Sequence, residues 1–269
     1  GVAPHPHRLG PDHPLVAASL SNIANIELNQ GRIEDARRLY ERALAIRERA
    51  LDPSHPDVIE SLNNLANVHY SSGALGEALP LYQRALAAID ATPGGNPRLA
   101  ATILYNCGLI REDQCQDAEA VRDHSRALEQ FESFLGPDHP TLGYPLAGLG
   151  ASRINLGELD EAQRLFTRSL TIREAALGKD HPELLFSVLG LAEVARRRGD
   201  LDAALRLCDR GLELGEAAYG KDHPLLAAVL STRGEILVST RRPTEAIAAL
   251  ERAVAVVPPE DRSPRAAKL

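Results

Sequence analysis

The strongest constraint on the fold of this chain is a phrase that returns at multiples of 42 residues. Five histidines, each followed by proline, lie on this interval, at His13, His55, His139, His181 and His223. A third copy keeps the interval but reads GGNPR at 94–98. Equivalent positions of the copies are called a column here. One column contains alanine in all six copies: Ala36, Ala78, Ala120, Ala162, Ala204 and Ala246. Because a fixed period of 20–50 residues is typical of repeat architectures, the sequence predicts six copies of one structural unit.

The composition indicates that this unit is built from helices. Of the 269 residues, 44% are hydrophobic and 25% charged, aromatic residues make up 4%, and Trp and Met are absent. Cores rich in Ala and Leu favour helices over sheets. We therefore expect an all-α fold.

Charge and cysteine content argue against several classes of partner. The net charge is −7 and no basic stripe is present, so we expect no nucleic-acid partner. No apolar run approaches the roughly 18 residues of a membrane span, so we expect no membrane insertion. The three cysteines have neither the spacing of a disulfide framework nor that of a zinc site, which favours a reducing compartment. We expect a cytoplasmic location.

Each copy reads as two helices joined by a tight turn. Pro14 suits the first position of a helix, so His13 or Asp12 is expected to cap it. Gly31 then supplies a left-handed turn, and the alternation of apolar and charged residues from Ile33 onward predicts a second, amphipathic helix. The two members of each pair are called the first and the second helix below.

The repeated Asp-His pair raises the alternative of a metal or catalytic site. Metal ligands must lie about 2.0–2.3 Å from one ion, whereas stacked helices lie roughly 8–10 Å apart, so a capping role is favoured. Phosphate-loop, zinc-protease and nucleophile-elbow motifs are absent from the sequence, and the glycines of GLGASR at 148–153 fall at small positions inside a first helix. We expect a non-enzymatic chain without metal or cofactor.

These residues carry a resemblance to a known family. The alanine column, a second small column (Ala24, Ala66, Gly108, Gly150, Ala192 and Gly234) and the rings of Tyr40, Tyr82 and Phe166 resemble the tetratricopeptide repeat. The 42-residue length and the LGxDHP opening resemble the kinesin light-chain type of array, which is also found in many bacterial proteins, so we expect a bacterial origin. The resemblance implies a right-handed superhelical solenoid of six helix-turn-helix repeats, with the first helices lining a concave groove.

The resemblance also sets expected domain limits. Residues 9–257 are expected to form a single solenoid, with repeats at about 9–50, 51–92, 93–134, 135–176, 177–218 and 219–257. Residues 1–8 are expected to be a disordered leader, and 258–269 a disordered tail. Copy three departs most from the pattern, because Cys115 replaces the turn glycine and Asp117 and Asp123 replace aliphatic residues, so we expect flexibility there. Cys107 is expected to be buried and Cys115 exposed.

Carrying the family's inward positions onto this chain selects a candidate peptide-binding face. The residues selected are Asn22, Asn25, Asn29, Asn63, Asn64, Asn67, Tyr105, Asn106, Arg196 and Arg197. An Asn amide offers two donors and an acceptor, so a row of such amides can pair with the backbone of a bound chain. The alternative is that some of them, such as Asn22, Asn64 and Asn106, only bond between neighbouring helices or face water.

The expected function is an adaptor or scaffold that binds a peptide segment of a partner protein. Glu60, Glu112 and Asp113 at inward positions argue against an acidic ligand there, whereas Arg196 and Arg197 could meet an anionic segment. Two alternatives stay open. The chain could be a self-assembling structural element, because a solenoid without polar end caps leaves apolar faces open, or a regulatory arm of a larger protein.

Overall fold

The fold is all-α, as predicted from the sequence. The computed structural model describes Gly10 and residues 13–257, and within that part it contains twelve α-helices, two short 3-10 helices and no strand. The α-helices are α1 (Pro14–Asn29), α2 (Ile33–Ala50), α3 (Pro56–Ser71), α4 (Leu75–Asp90), α5 (Pro97–Asp113), α6 (Asp117–Leu135), α7 (Gly143–Asn155), α8 (Leu159–Leu177), α9 (Leu185–Arg198), α10 (Leu201–Tyr219), α11 (Leu226–Ser239) and α12 (Pro243–Ala255). The 3-10 helices, Pro140–Leu142 and Pro182–Leu184, precede α7 and α9.

The chain divides into two compact units, one ending at Ile110 and the other beginning at Arg111. In the first unit, α1 packs on α2, α2 on α3, and α3 on α4. In the second, each helix from α6 to α12 packs on its neighbours in sequence. Helix pairs that stack on one another are the arrangement that a helix-turn-helix solenoid requires, which confirms the predicted fold class. The single domain over 9–257 stays a prediction, and the leader and tail lie outside the described residues.

The repeated histidines act as caps, but not always of an α-helix. His13 and His55 cap α1 and α3, as predicted. His139 and His181 cap the 3-10 helices before α7 and α9, and His223 precedes a turn that leads into α11. In all five copies the Nδ1 atom accepts a hydrogen bond from the backbone N–H two residues further on, at 3.2–3.3 Å: Leu15, Asp57, Thr141, Glu183 and Leu225 are the donors. An accepting side chain here satisfies one of the N–H groups that the first turn leaves unpaired. In copy three, Asn96 takes this role by accepting from the N–H of Leu99 at 3.1 Å.

The turn between the two helices needs one residue in the left-handed conformation. Glycine supplies it in four copies, with φ between 74° and 82° at Gly31, Gly73, Gly157 and Gly199. Cys115 and Arg241 hold the same column in copies three and six, with φ of 58° and 59°. A side chain at this conformation costs about 1–2 kcal/mol relative to the right-handed one, so both turns are strained.

Small residues let the helices approach closely. All six members of the alanine column are buried. Two glycines of α7 serve the same purpose, since a Cβ at Gly148 would lie 2.6 Å from the His124 ring and one at Gly150 would lie 2.6 Å from the Phe166 ring. The glycines of GLGASR are therefore packing positions, as predicted.

Two buried arginines join successive repeats, and the sequence analysis did not identify them. The guanidinium of Arg47 donates to the carbonyl oxygen of Asp57 at 3.1 Å and to Ser61 Oγ at 2.6 Å. Three repeats further along, Arg173 donates to the carbonyl oxygen of Glu183 at 2.9 Å and lies over the Tyr144 ring, 4.5 Å from its centroid. Each arginine ties the end of a second helix to the start of the next first helix.

None of the described helices is long and apolar enough to cross a lipid bilayer.

Candidate peptide-binding surface

Two asparagines of the predicted face are held by tyrosines of the paired second helix. Tyr40 of α2 donates its hydroxyl to Oδ1 of Asn25 on α1, and Tyr82 of α4 donates to Oδ1 of Asn67 on α3. The two pairs occupy the same two columns, 42 residues apart. Because the amide oxygen accepts from the tyrosine, the amide orientation is fixed and the Nδ2 hydrogens point away from the ring.

Burial keeps both tyrosine hydroxyls protonated. Burial raises the pKa of Tyr40, with a further contribution from the charge of Glu60. Burial also raises the pKa of Tyr82, against a hydrogen bond from Asn106 that lowers it. Each hydroxyl therefore remains a donor well above neutral pH, so the amide orientation does not depend on pH in the physiological range.

Asn106 is used between repeats. Its Nδ2 donates to the hydroxyl of Tyr82 at 3.2 Å, so that α5 is linked through Tyr82 to Asn67 on α3. The alternative that the sequence left open for the column of Asn22, Asn64 and Asn106, a bond between neighbouring helices, is therefore the arrangement found for Asn106. One Nδ2 hydrogen and the Oδ1 acceptor of Asn106 are not part of this bond.

The other members of the predicted face differ in exposure. Asn22 and Asn29 on α1 are exposed. Asn63 and Asn64 on α3 are half-buried, and Nδ2 of Asn63 lies 3.4 Å from Oδ1 of Asn64. Tyr105 on α5 is half-buried as well. The first unit thus places a row of amide groups along its first helices.

Arg196 and Arg197 on α9 are engaged by acidic neighbours. Arg196 forms a bidentate pair with Glu193, with both N···O distances 2.7 Å, and lies 3.6 Å from Glu235. Arg197 donates to Glu193 at 2.7 Å and to the carbonyl oxygen of Ile154 at 3.2 Å. Burial acts to raise the pKa of Glu193, but the bonds from the two arginines outweigh it, and the pKa lies below its ordinary value. Two arginines and two glutamates leave this part of the face without net charge.

The predicted acidic positions also separate into two environments. Glu60 is largely exposed on α3. Glu112, at the end of α5, instead accepts a hydrogen bond from Ser152 Oγ at 2.7 Å and lies 3.3 Å from Nε2 of the buried His124. In the same region Arg111 pairs with Asp123 at 2.9 Å. Glu112 therefore belongs to a largely buried polar cluster of copies three and four, which the sequence analysis did not recognise.

The supporting tyrosines were not recognised as part of the face, although the sequence carries a signal for them. Tyrosine stands in its column in the two copies that have asparagine fifteen residues earlier, as in Tyr40 with Asn25. Phe166 has no hydroxyl, and Ala151 stands where those copies have asparagine. This covariation between two columns of one sequence would have predicted the bond.

No group of three or more His, Cys, Asp or Glu side chains in the described part of the chain could hold a metal ion. Cys107 and Cys208 are buried and Cys115 is exposed, as predicted for Cys107 and Cys115.

Comparison with known proteins gives a family match over most of the chain. The model of the Tetratricopeptide repeat family matches residues 15–91, 99–175 and 184–258. No curated protein sequence matches the chain significantly.

Several solved structures are similar in fold. Nearly identical TPR-like repeats of a kinesin light chain from Podosopora anserina share 22% identity, with 77% of this chain and 98% of that chain covered and a TM-score of 0.65. BtubC (BKLC) from P. vanneervenii shares 16% identity, with 89% and 90% covered and a TM-score of 0.62. The apo form of RapI shares 11% identity, with 90% and 97% covered and a TM-score of 0.71. These likenesses support an array of the kinesin light-chain type.

Proposed function

This chain belongs to the tetratricopeptide repeat family, and on that premise we propose that it is an interaction module that binds an extended peptide segment of a partner protein on its first helices. The observation that carries the proposal is the pair of fixed amides at Asn25 and Asn67. Both Oδ1 atoms are held by tyrosine hydroxyls, which leaves the Nδ2 groups as donors. Donors held in place before binding lose little conformational freedom when a ligand arrives.

The spacing of these donors suits a peptide backbone. The two donors, Asn25 and Asn67, lie on the first helices of successive repeats. With a spacing of about 10 Å between these helices and a rise of roughly 3.3 Å per residue in an extended chain, they would meet carbonyl oxygens about three residues apart in the ligand. Contacts of this kind read the peptide backbone, so the ligand is defined by its extended conformation more than by its side chains.

The charges around the row select a ligand without strong negative charge. Glu60 is exposed beside it, and the described part of α1 carries one charged residue, Glu27, which pairs with Arg32. Arg196 and Arg197 pair with Glu193, and Arg196 also lies near Glu235, so this region offers no net positive charge to attract an anionic segment. We therefore expect a neutral or basic segment to be preferred over an acidic one.

The family supports a role as a scaffold, because tetratricopeptide repeat proteins generally act as non-enzymatic scaffolds. One structure of similar fold is the Cut9–Hcn1 hetero-tetramer of the APC/C, with 17% identity, 94% of this chain and 42% of that chain covered, and a TM-score of 0.65. A protein built into a complex is consistent with an adaptor role for this chain. We also propose that it acts in the cytoplasm. A regulatory arm of a larger protein stays an alternative to the adaptor function.

The test is selection of a ligand followed by removal of the donors. Peptides are selected from a phage-displayed library of random 12-residue sequences, and their affinity is measured by fluorescence anisotropy. The variant Asn25→Asp with Asn67→Asp keeps an oxygen to accept from each tyrosine but loses the amide donors. We expect it to bind at least about tenfold more weakly, as loss of two hydrogen bonds predicts.

The control variant adds the same two negative charges at exposed glutamines of the first unit, Gln30→Glu with Gln83→Glu. It should bind within about twofold of the natural chain. Equal binding by the Asp variant would move the site away from the amide row. A library that yields no peptide specific for the chain would contradict peptide docking itself.

A further inference from the structure

The outer face of α1 is uncovered at a column that is buried in every other copy. The residue at this column is Val68, Ile110, Ser152, Val194 or Ile236 in copies two to six, and each of these is at most 2% exposed. Ile26 holds the column in α1 and is 54% exposed. Ile23, one turn earlier on the same face, is also exposed, whereas Leu65, Cys107 and Leu149 in its column are buried.

The outer face of α12 is likewise more exposed than the equivalent faces of the preceding second helices. The column of Leu250 contains Tyr40, Tyr82, His124, Phe166 and Cys208 in the preceding copies, all at most 3% exposed. Leu250 itself is 37% exposed, and Ile247 and Val254 on either side of it are 57% and 58% exposed. Their spacing of three and four residues places all three side chains along one stripe of the helix.

Inside the chain, the column of Leu250 packs on the first helix of the following repeat. Tyr82 accepts from Asn106 in this way, and a Cβ at Gly190 would lie 2.2 Å from the ring of Phe166. The buried hydroxyls of Ser169 and Ser187 lie 2.7 Å apart in the same junction. The second helix of one repeat and the first helix of the next thus form a recurring interface. Among the described residues, α1 and α12 each present one half of it that is not covered.

We propose that the α12 face of one copy of this chain packs on the α1 face of a second copy, repeating the junction found between its own repeats. The apolar stripe of Ile247, Leu250 and Val254 would then cover Ile23 and Ile26 of the second copy. Such an interface is heterologous, because it uses two different faces, and every copy offers one of each. This proposal rests on the end faces alone and does not depend on peptide docking.

The contact is expected to be weak. A single helix-on-helix face falls at the small end of protein interfaces, below about 1,200 Å². In addition, the hydrogen bond from Asn106 to Tyr82 has no counterpart between two copies of the chain. Asn22 is equivalent to Asn106, but the residue equivalent to Tyr82 in the last copy is Leu250, which has no hydroxyl. The junction between copies would therefore lack that bond. We therefore expect a weak, transient contact rather than a stable complex.

The experiment is sedimentation velocity of the 269-residue chain at concentrations from about 1 µM to about 1 mM, the range in which weak association is populated. The natural chain should show a weight-average sedimentation coefficient that rises with concentration. Ile26→Glu and Leu250→Glu each place a charge on one face, and each variant alone should stay monomeric. Ile26 is mostly exposed, but Leu250 also packs on Gly234 of α11, so circular dichroism verifies that each variant is folded. Val254→Glu, at a 58% exposed position of the same stripe, replaces Leu250→Glu if the latter is not folded.

Mixing the two variants gives the most specific test. The α12 face is intact in Ile26→Glu and the α1 face is intact in Leu250→Glu, so an equimolar mixture should form dimers and nothing larger. Leu156→Glu, a change at an exposed leucine on neither face, should associate like the natural chain. A natural chain that is monomeric throughout would overturn the proposal, and so would association retained by either single variant or lost in Leu156→Glu.

Discussion

Tyr82 accepts a hydrogen bond from Nδ2 of Asn106 at 3.2 Å and donates its own proton to Oδ1 of Asn67. One hydroxyl thus joins the first helices of two successive repeats through the second helix between them. Tyr40 makes the corresponding bond to Asn25. The same side chains therefore have a structural role and, in the proposed function, orient the donors that a peptide meets.

Replacing Tyr82 with Phe should cost more stability than replacing Tyr40. Tyr82→Phe removes two hydrogen bonds from a buried side chain and should lower the free energy of unfolding by about 1–2.5 kcal/mol. Tyr40→Phe removes one and should cost about 0.5–1.5 kcal/mol. Urea titration followed by circular dichroism measures both. A Tyr82 variant as stable as the natural chain would show that the bonds to Asn67 and Asn106 contribute nothing.

Relieving the strained turn of copy six should stabilise the chain. Arg241 has φ of 59°, and glycine at this position removes a cost of about 1–2 kcal/mol while making the unfolded chain more flexible by about 0.4–1 kcal/mol. Arg241→Gly is thus expected to gain about 0.5–1 kcal/mol, visible as a rise in Tm. Arg38→Gly, at an exposed site in the middle of α2, is the control and should lose about 1 kcal/mol. A lower Tm for Arg241→Gly would contradict the strain.

A methyl group at Gly190 should overpack the junction between copies four and five. The added Cβ would lie 2.2 Å from the Phe166 ring, which has no room to move because Phe166 is buried. Gly190→Ala should cost about 1–3 kcal/mol by thermal denaturation. In a Phe166→Leu background the same change should cost clearly less, since the smaller side chain leaves space. Equal costs in the two backgrounds would rule out this contact as the cause.

The pairing of Glu193 with two arginines should give a pH-dependent contribution to stability. The pKa of Glu193 is lowered from 4.5, so the folded state binds a proton less readily than the unfolded state. Its stabilisation is therefore fully present above about pH 5.5, roughly a unit above the unfolded value, and lost as the pH falls through the lower, folded pKa.

Glu193→Gln provides the comparison. At pH 7 the variant should be less stable by about 1–2 kcal/mol, because charged hydrogen bonds are replaced by neutral ones. The difference should shrink steadily below pH 4.5, where the natural carboxylate also becomes neutral. Urea titrations at a series of pH values measure it. A gap that stays constant, or widens in acid, would contradict the assignment.

The fold could be predicted because the residues that begin and end its helices recur every 42 residues. Helix starts follow from His13 and its equivalents, and turns follow from Gly31 and its equivalents, since both residue types have strong local preferences. At Cys115 and Arg241, by contrast, the residue type does not favour the turn. Both residues hold the left-handed conformation there against the preference of the side chain.

The site could be predicted only in part, because its details depend on contacts between distant residues. Candidate residues such as Asn22 and Asn67 lie at exposed and half-buried positions of the first helices, and their role in binding stays a prediction. A column does not reveal whether an amide bonds to a neighbour, as Asn106 does, or whether an arginine is held by a glutamate, as Arg196 is. Those outcomes follow from side-chain geometry across repeats, which the period alone does not contain.

The most direct test of the central claim is the response of the asparagine side chains to a bound peptide. The side-chain amide ¹H–¹⁵N signals of Asn25 and Asn67 can be followed by NMR while a peptide selected from the library is added. Pairing of the peptide with these amides should shift both signals in proportion to the bound fraction, and the side-chain signal of Asn155, in the second unit, should stay in place. Peptide binding that leaves the signals of Asn25 and Asn67 unmoved would contradict that claim.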